Sequence, residues 1–173
     1  MLCLGYPDSG EDLVALFKRK GARTVDCVDV IAHKGFERIA DLNVAQEWPH
    51  LYTLIFNPGT LEHCFNIGQA WVNAWSALAV NGHSVHALPL SLLNHGFWNI
   101  NPIALTDWCA SNGGTVLSVQ YAINGTQAFV CREAIKDSPS GRGKFPAETV
   151  MYALLRKDSE VPLRWPVQGV YRR

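Results

Sequence analysis

Leu51-Tyr52-Thr53-Leu54-Ile55-Phe56-Asn57-Pro58-Gly59-Thr60-Leu61-Glu62-His63 reads as a strand that runs into a turn. Residues 51–56 are apolar, aromatic or β-branched without a break, as in a central parallel strand covered on both faces, and Asn-Pro-Gly ends the run. The loop from Asn57 to His63 therefore opens at the carboxyl end of a strand. Upstream, Leu2-Cys3-Leu4 is a short apolar strand broken at Gly5, and Asp12 to Lys20 carries Leu13, Leu16 and Phe17 at helical spacing. Gly21 stops that helix, Thr24 to Val30 is strand-like, and Arg38 to Asn43 reads as a short third strand. Downstream, Cys64 to Ala79 sets Phe65, Ile67, Ala70, Trp71, Ala74, Trp75 and Leu78 on one helical stripe that ends at Asn81-Gly82. His83 to Leu88 is a fifth strand with Val85 and Ala87 on its apolar side, and Asn101-Pro102 opens a helix through Leu105 and Trp108 to Asn112. Thr115 to Ile123 and Gln127 to Arg132, joined by Asn124-Gly125-Thr126, read as an antiparallel hairpin. Ser138 to Lys144 reads as a flexible linker, and Pro146 to Arg156 as a helix or an extended segment.

Strand–helix alternation with short loops predicts an α/β fold: a Rossmann-like, mostly parallel sheet with helices on both faces and a C-terminal antiparallel hairpin. At 173 residues, the chain is expected to form a single domain over 1–173. Lys+Arg 15 balance Asp+Glu 15, which argues against a protein that holds nucleic acid by its phosphates. From Ile39 to Cys131 there is no Lys or Arg at all, so this stretch must be core or the lining of a cleft. Arg156, Lys157, Arg164, Arg172 and Arg173 read as a solvated basic face. Cys3, Cys27, Cys64, Cys109 and Cys131 sit among apolar neighbours without a C-x-x-C pair, as buried reduced thiols do. There is no basic leader and no apolar run of about 18 residues, so a cytoplasmic protein without a membrane span is expected.

Ligands of such sheets bind outside the carboxyl ends of the strands, which points to four loops: Gly5 to Gly10, Asp29 to Lys34, Asn57 to His63, and Pro89 to Trp98. Gly5-Tyr6-Pro7-Asp8 joins a strand to a helix and lets backbone approach a ligand. Either Asp29 or Asp26 ends the second strand, where an acid can meet a ribose hydroxyl. Asp41-Leu42-Asn43 read alone is a cap or a turn. Trp71, Trp75 and Trp108 belong to packing, whereas Trp98 lies on a loop facing the expected cleft.

In this order the motifs resemble class I S-adenosylmethionine-dependent methyltransferases, the run from Leu54 to His63 being the most specific of them. Asn94-His95-Gly96-Phe97-Trp98 followed by Pro102 resembles a subgroup linked to surface polysaccharide genes, and Pro166-Val167-Gln168-Gly169-Val170-Tyr171 is similar to its closing segment. The resemblance implies S-adenosylmethionine as cofactor and methyl transfer to a small-molecule or carbohydrate-type acceptor. It also implies Gly5, Tyr6, Pro7 and Asp8 against the methionine part of the cofactor, Asp29 on its ribose, Asp41 and Leu42 at its adenine, and Asn57 beside the sulfonium. The loops after the fourth and fifth strands bring Glu62, His63 and His95 together as the expected catalytic group, with a histidine to take a proton and a carboxylate to orient its ring. The trio is also similar to the metal site of small-RNA 3′-end methyltransferases. Those carry a second Glu where this chain has Gly59, so no metal is assigned. Two departures support an alternative, a non-catalytic Rossmann-like binding or interaction module: the first loop has Tyr6-Pro7-Asp8 in place of further glycines, and the sequence opens almost at the first strand, where family members usually carry a helix before it. An apolar flank left open there would invite a second copy of the chain. A nicotinamide oxidoreductase is disfavoured for want of a full glycine fingerprint. No membrane or nucleic-acid partner is expected.

Overall fold

The computed structural model describes residues 1–5, 12–35, 37–123 and 148–171. β4 (Tyr52–Asn57) has parallel partners on both sides, which is why its sequence carries no polar face. On one side lie β1 (Leu2–Leu4), β2 (Asp26–Asp29) and the two-residue β3 (Arg38–Ile39), all parallel. On the other side lies β5 (Leu78–Pro89), also parallel. Next comes β7 (Thr149–Lys157), antiparallel to β5 and to the edge strand β6 (Gly114–Ile123). The described residues thus form an α/β structure around a seven-stranded, mostly parallel sheet in the order β3-β2-β1-β4-β5-β7-β6. The chain builds away from β1 in one direction, returns, and continues from β4 in the other. The order reverses between β1 and β4.

Helices cover both faces. α1 (Leu13–Arg19), capped by Asp12, sets Leu13 and Val14 against Cys3, Cys27 and Phe56. α2 (Ile67–Ala77) and α3 (Pro102–Ser111) cover the opposite face, where Leu2, Leu4, Val28 and Ile55 meet Trp71, Trp75, Leu105 and Trp108. Leu2, Cys3 and Leu4 alternate between the two clusters, as strand geometry requires. Asn66 and Asn101 cap α2 and α3, and Pro102 occupies the first turn of α3, where its missing N–H costs nothing. Cys3, Cys27, Cys64 and Cys109 are buried free thiols; burial pushes Cys64 up to about 11 and Cys109 up to about 12. Cys131 lies outside the described residues.

Several expectations are corrected. β7 pairs with β6, so residues 149–156 of the undecided segment 146–156 are a strand, which runs on to Lys157. The expected hairpin partner Gln127–Arg132 and the expected linker Ser138–Lys144 lie outside the described residues. α2 begins at Ile67 and ends at Ala77; Phe65 is exposed ahead of it, and Leu78 already belongs to β5. Asn81-Gly82 falls inside β5, where the pairing with β4 shifts register between Tyr52 and Leu54. The phase of β5 is also inverted. Ser84, His86 and Leu88 are its buried residues, while Val85 and Ala87 are only half-buried. Lys157 is no part of a solvated face: it is 2% exposed, donates to the carbonyls of Trp75 and Leu78, and pairs with Glu160 at 2.7 Å. Among the described residues no helix is long and apolar enough to cross a membrane.

Candidate functional site

Parallel strands put their carboxyl ends on one rim of the sheet, and the loops there meet at the reversal between β1 and β4. Gly5 ends β1 with φ +72°, and its N–H donates to Val28 O at 2.7 Å, beside the end of β2. A Cβ on Gly5 would stand 2.1 Å from Thr60 Oγ1, and that hydroxyl donates to Leu4 O at 2.6 Å. Glycine is needed here on both counts, conformation and space. Tyr6, Pro7 and Asp8, expected beside it, lie outside the described residues.

The two candidate acids of β2 are at opposite ends of the strand. Asp29 is its last residue; Oδ1 accepts from the N–H groups of Val30 and Ile31, and Oδ2 is 3.5 Å from His33 Nε2. Asp26 is its first residue, where it accepts from Tyr52 Oη at 2.9 Å and pairs with His50. Only Asp29 is on the rim. Val30 and Ile31 after it are both more than half exposed, apolar residues left facing water at a strand end.

The loop after β3 is held from beneath by α2. Asn73 is buried; its Nδ2 donates to the carbonyls of Leu42 and Val44, and its Oδ1 accepts from Gln46 N. The Trp48 indole N–H reaches Asn73 O. Asp41 Oδ1 accepts from the backbone and side-chain N–H groups of Asn43, which lowers the carboxyl below its usual range. Leu42 is buried, and Asn43 in turn accepts from Asn66, the cap of α2.

At the end of β4, Asn57 has no exposed surface, and its Oδ1 accepts from Thr60 N and Leu61 N. Its Nδ2 faces His86 Nδ1 at 3.4 Å, and His86 Nε2 lies 2.5 Å from Ser84 Oγ. An amide N–H only donates, so Nδ1 is the acceptor and Nε2 carries the proton. Burial pushes the His86 imidazole down to about 3, and it stays neutral.

The 3₁₀ turn Leu61–His63 follows, and the loop after β5 folds onto it. Phe97 N donates to Glu62 O, and the Trp98 indole N–H is shared by the carbonyls of Cys64 and Phe65. A Cβ on Gly96 would sit 2.9 Å from Glu62 O, so glycine permits this contact. The loop thereby brings His95 Nε2 to 3.5 Å from Glu62 Oε1, and the His63 and His95 rings lie 5.0 Å apart. Glu62 is 1% exposed, and among the described residues its Oε2 has no hydrogen-bond partner. Desolvation raises its carboxyl above the ordinary value, against the opposing pull of His63 and His95. Both histidines are exposed, and Phe65 and Phe97 pack edge to face beside them at 5.5 Å.

The rim therefore brings Gly5, Asp29, Asp41, Leu42 and Asn57 onto one end of the sheet, and Glu62, His63 and His95 into one cluster. Asn73 and His86 were not anticipated as supports of these loops. A polar residue on the buried stripe of α2 was the available signal for the first. A cleft of about 590 Å³ lined by Asp26, Arg38, Trp48 and Tyr52 gathers instead at the amino ends of β2, β3 and β4. No protein-family model and no curated protein matches this chain.

Proposed function

We propose that the chain is a Rossmann-like methyltransferase that uses S-adenosylmethionine and acts on a small-molecule or carbohydrate-type acceptor. The observation that carries this reading is the arrangement at the sheet reversal: Gly5 bonded to Val28 at the end of β1, Asp29 at the end of β2, and the Glu62-His63-His95 cluster beyond β4. Open α/β sheets bind ligands at such a point. The residues suit the cofactor. A carboxylate at Asp29 matches the paired hydroxyls of a ribose, and the exposed Val30 and Ile31 beside it match the apolar cover that a purine needs. S-adenosylmethionine, when bound, supplies an electrophilic methyl group on a positively charged sulfur.

The chain's own residues orient the reactants. Asp29 accepts hydrogen bonds from the nucleoside end. Asn73 and Asn57 fix the spacing of the loops by their bonds to residues 42–46 and 60–61, and in-line positioning supplies most of the acceleration in a direct transfer. A histidine of the Glu62, His63 and His95 cluster takes the proton of the acceptor's hydroxyl as its oxygen bonds to the methyl carbon and the carbon–sulfur bond breaks, and the Glu62 carboxylate offsets the charge of the imidazolium so formed.

Thermal-shift and calorimetric titration with S-adenosylhomocysteine, S-adenosylmethionine and NADH tests the reading, since a ligand of the folded state alone raises the melting temperature. The first two are expected to bind and NADH is not. A shift with NADH alone would overturn the proposal, and no shift with any of the three would favour a binding module without catalysis.

A further inference from the structure

We propose that Glu62, His63 and His95 form a binding site for one divalent first-row transition cation. The inference rests on the methyl-transfer reading and states how the acceptor's oxygen is held: with the ion bound, the imidazoles hold that oxygen through it, and the proton of the hydroxyl, acidified by the ion, passes to solvent instead of to a free imidazole. One ligand atom from each residue lies within 4.8 Å of the other two. Around an ion bound at about 2.1 Å, neighbouring ligands stand about 3–4 Å apart, so small rotations of the two exposed imidazoles close the set. The backbone of the cluster is fixed beforehand by the Phe97 N–H on Glu62 O and by the space that Gly96 leaves over the Glu62 carbonyl and Cγ.

The second, independent observation is the orphaned oxygen. Glu62 is 1% exposed, Oε1 faces His95, and among the described residues Oε2 has no donor. A buried polar atom without a partner costs about 1–3 kcal/mol, and a carboxylate more, so this oxygen calls for an explanation, and a bound ion beside the carboxylate is one. A cation between Glu62 and the two imidazoles supplies that positive charge. Gly59 adds room on the same side: its Cβ, if present, would come within 3.1 Å of Glu62 Oε1.

Ligand chemistry names the class of ion. Two imidazole nitrogens with one carboxylate favour Mn²⁺, Fe²⁺, Co²⁺ or Zn²⁺ over Mg²⁺ or Ca²⁺, which take oxygen sets. Three protein ligands leave coordination positions open, and because His63 and His95 are exposed those positions face solvent. An acceptor hydroxyl or vicinal diol is the ligand that fits them, and the flanking Phe65 and Phe97 rings offer its carbon face a surface.

Co²⁺ is the probe, followed by visible absorption and by calorimetry on the purified full chain. One equivalent is expected to bind saturably with d–d bands of a nitrogen–oxygen site. Glu62→Gln, His63→Ala and His95→Ala are each expected to weaken binding about 10-fold or more, while His50→Ala leaves it unchanged. Circular dichroism and S-adenosylhomocysteine binding report whether each variant is folded; His63 and His95 are exposed, so their variants test the site even if Glu62→Gln unfolds. Absence of saturable Co²⁺ binding, or binding untouched by the His63 and His95 substitutions, overturns the proposal. If the chain binds S-adenosylhomocysteine but not Co²⁺, the metal site fails and the methyl-transfer reading stands; Co²⁺ without any nucleoside ligand gives the converse.

Discussion

Protonation of His86 should govern part of the acid sensitivity of the fold. Its ring is 1% exposed, accepts from Asn57 at Nδ1, donates to Ser84 at Nε2 and stacks on Trp71 with centroids 4.7 Å apart. Burial holds it at about 3, whereas the unfolded chain titrates near 6.5. The folded pKa is depressed, so in acid the unfolded state binds a proton that the folded state refuses. Stability is therefore fully present above about pH 6.5 and falls as the pH drops from there toward 3, at about 1.4 kcal/mol per unit. Between about pH 7.5 and pH 5 the loss assigned to this one residue is about 2 kcal/mol. Urea unfolding of the wild type and of His86→Gln at several values across that window measures it. The variant is less stable at neutral pH, since it disturbs Asn57 and Ser84, but its stability should fall less steeply by about one proton. Slopes are compared, so the other titrating groups cancel. Parallel pH profiles for the two proteins would refute a buried neutral imidazole, and with it the tautomer that holds the Asn57 loop.

The remaining predictions concern the rim and the buried Lys157. Asp29→Ala should weaken S-adenosylhomocysteine binding by about 1–3 kcal/mol in calorimetry, while Asp26→Ala, at the other end of β2, leaves it unchanged; the reverse pattern would move the nucleoside to the amino ends. His95→Ala should abolish turnover on an identified acceptor while S-adenosylhomocysteine affinity stays within about 0.5 kcal/mol, because this residue serves the acceptor and not the cofactor. Lys157→Met should cost about 2–4 kcal/mol by denaturant titration, from the Trp75 and Leu78 carbonyls that it leaves buried without a donor.

What was legible in the sequence is what local chemistry dictates. The unbroken apolar run of β4, the Gly5 break and the Asn101-Pro102 start of α3 all express short-range rules, and the structure has each where those rules put it. Asp29 could not be separated from Asp26 in the same way, because alternation along a strand fixes faces and not ends. The phase of β5 is set by packing that residue type does not reveal: Ser84 and His86 are on its buried face, His86 bonded to Asn57 and against Trp71, while Val85 and Ala87 are on the half-buried one. Ser84 and His86 look outward by residue type and are inside by topology. Lys157 was misread by charge alone, since only the pairing of β7 with β5 brings its ammonium under the α2–β5 junction.

The charge-poor middle of the chain acquires a physical meaning from these misreadings. Residues 39–131 carry no Lys or Arg, yet Asn57, Glu62, Asn73, Ser84, His86 and Asn112 are all buried within it. Such groups are expensive to bury unless they are bonded, and the three amides among them bond to the backbone of loops: Asn73 to residues 42–46, Asn57 to 60 and 61, Asn112 to Arg164. Neutral amides are suited to this because each donates and accepts at once without the desolvation cost of an ion. At Asn57 and Asn73 this interior polarity holds irregular backbone in place at the carboxyl ends of the parallel strands. Glu62 is the one acid of this set; among the described residues its Oε2 has no partner, and it faces His63 and His95.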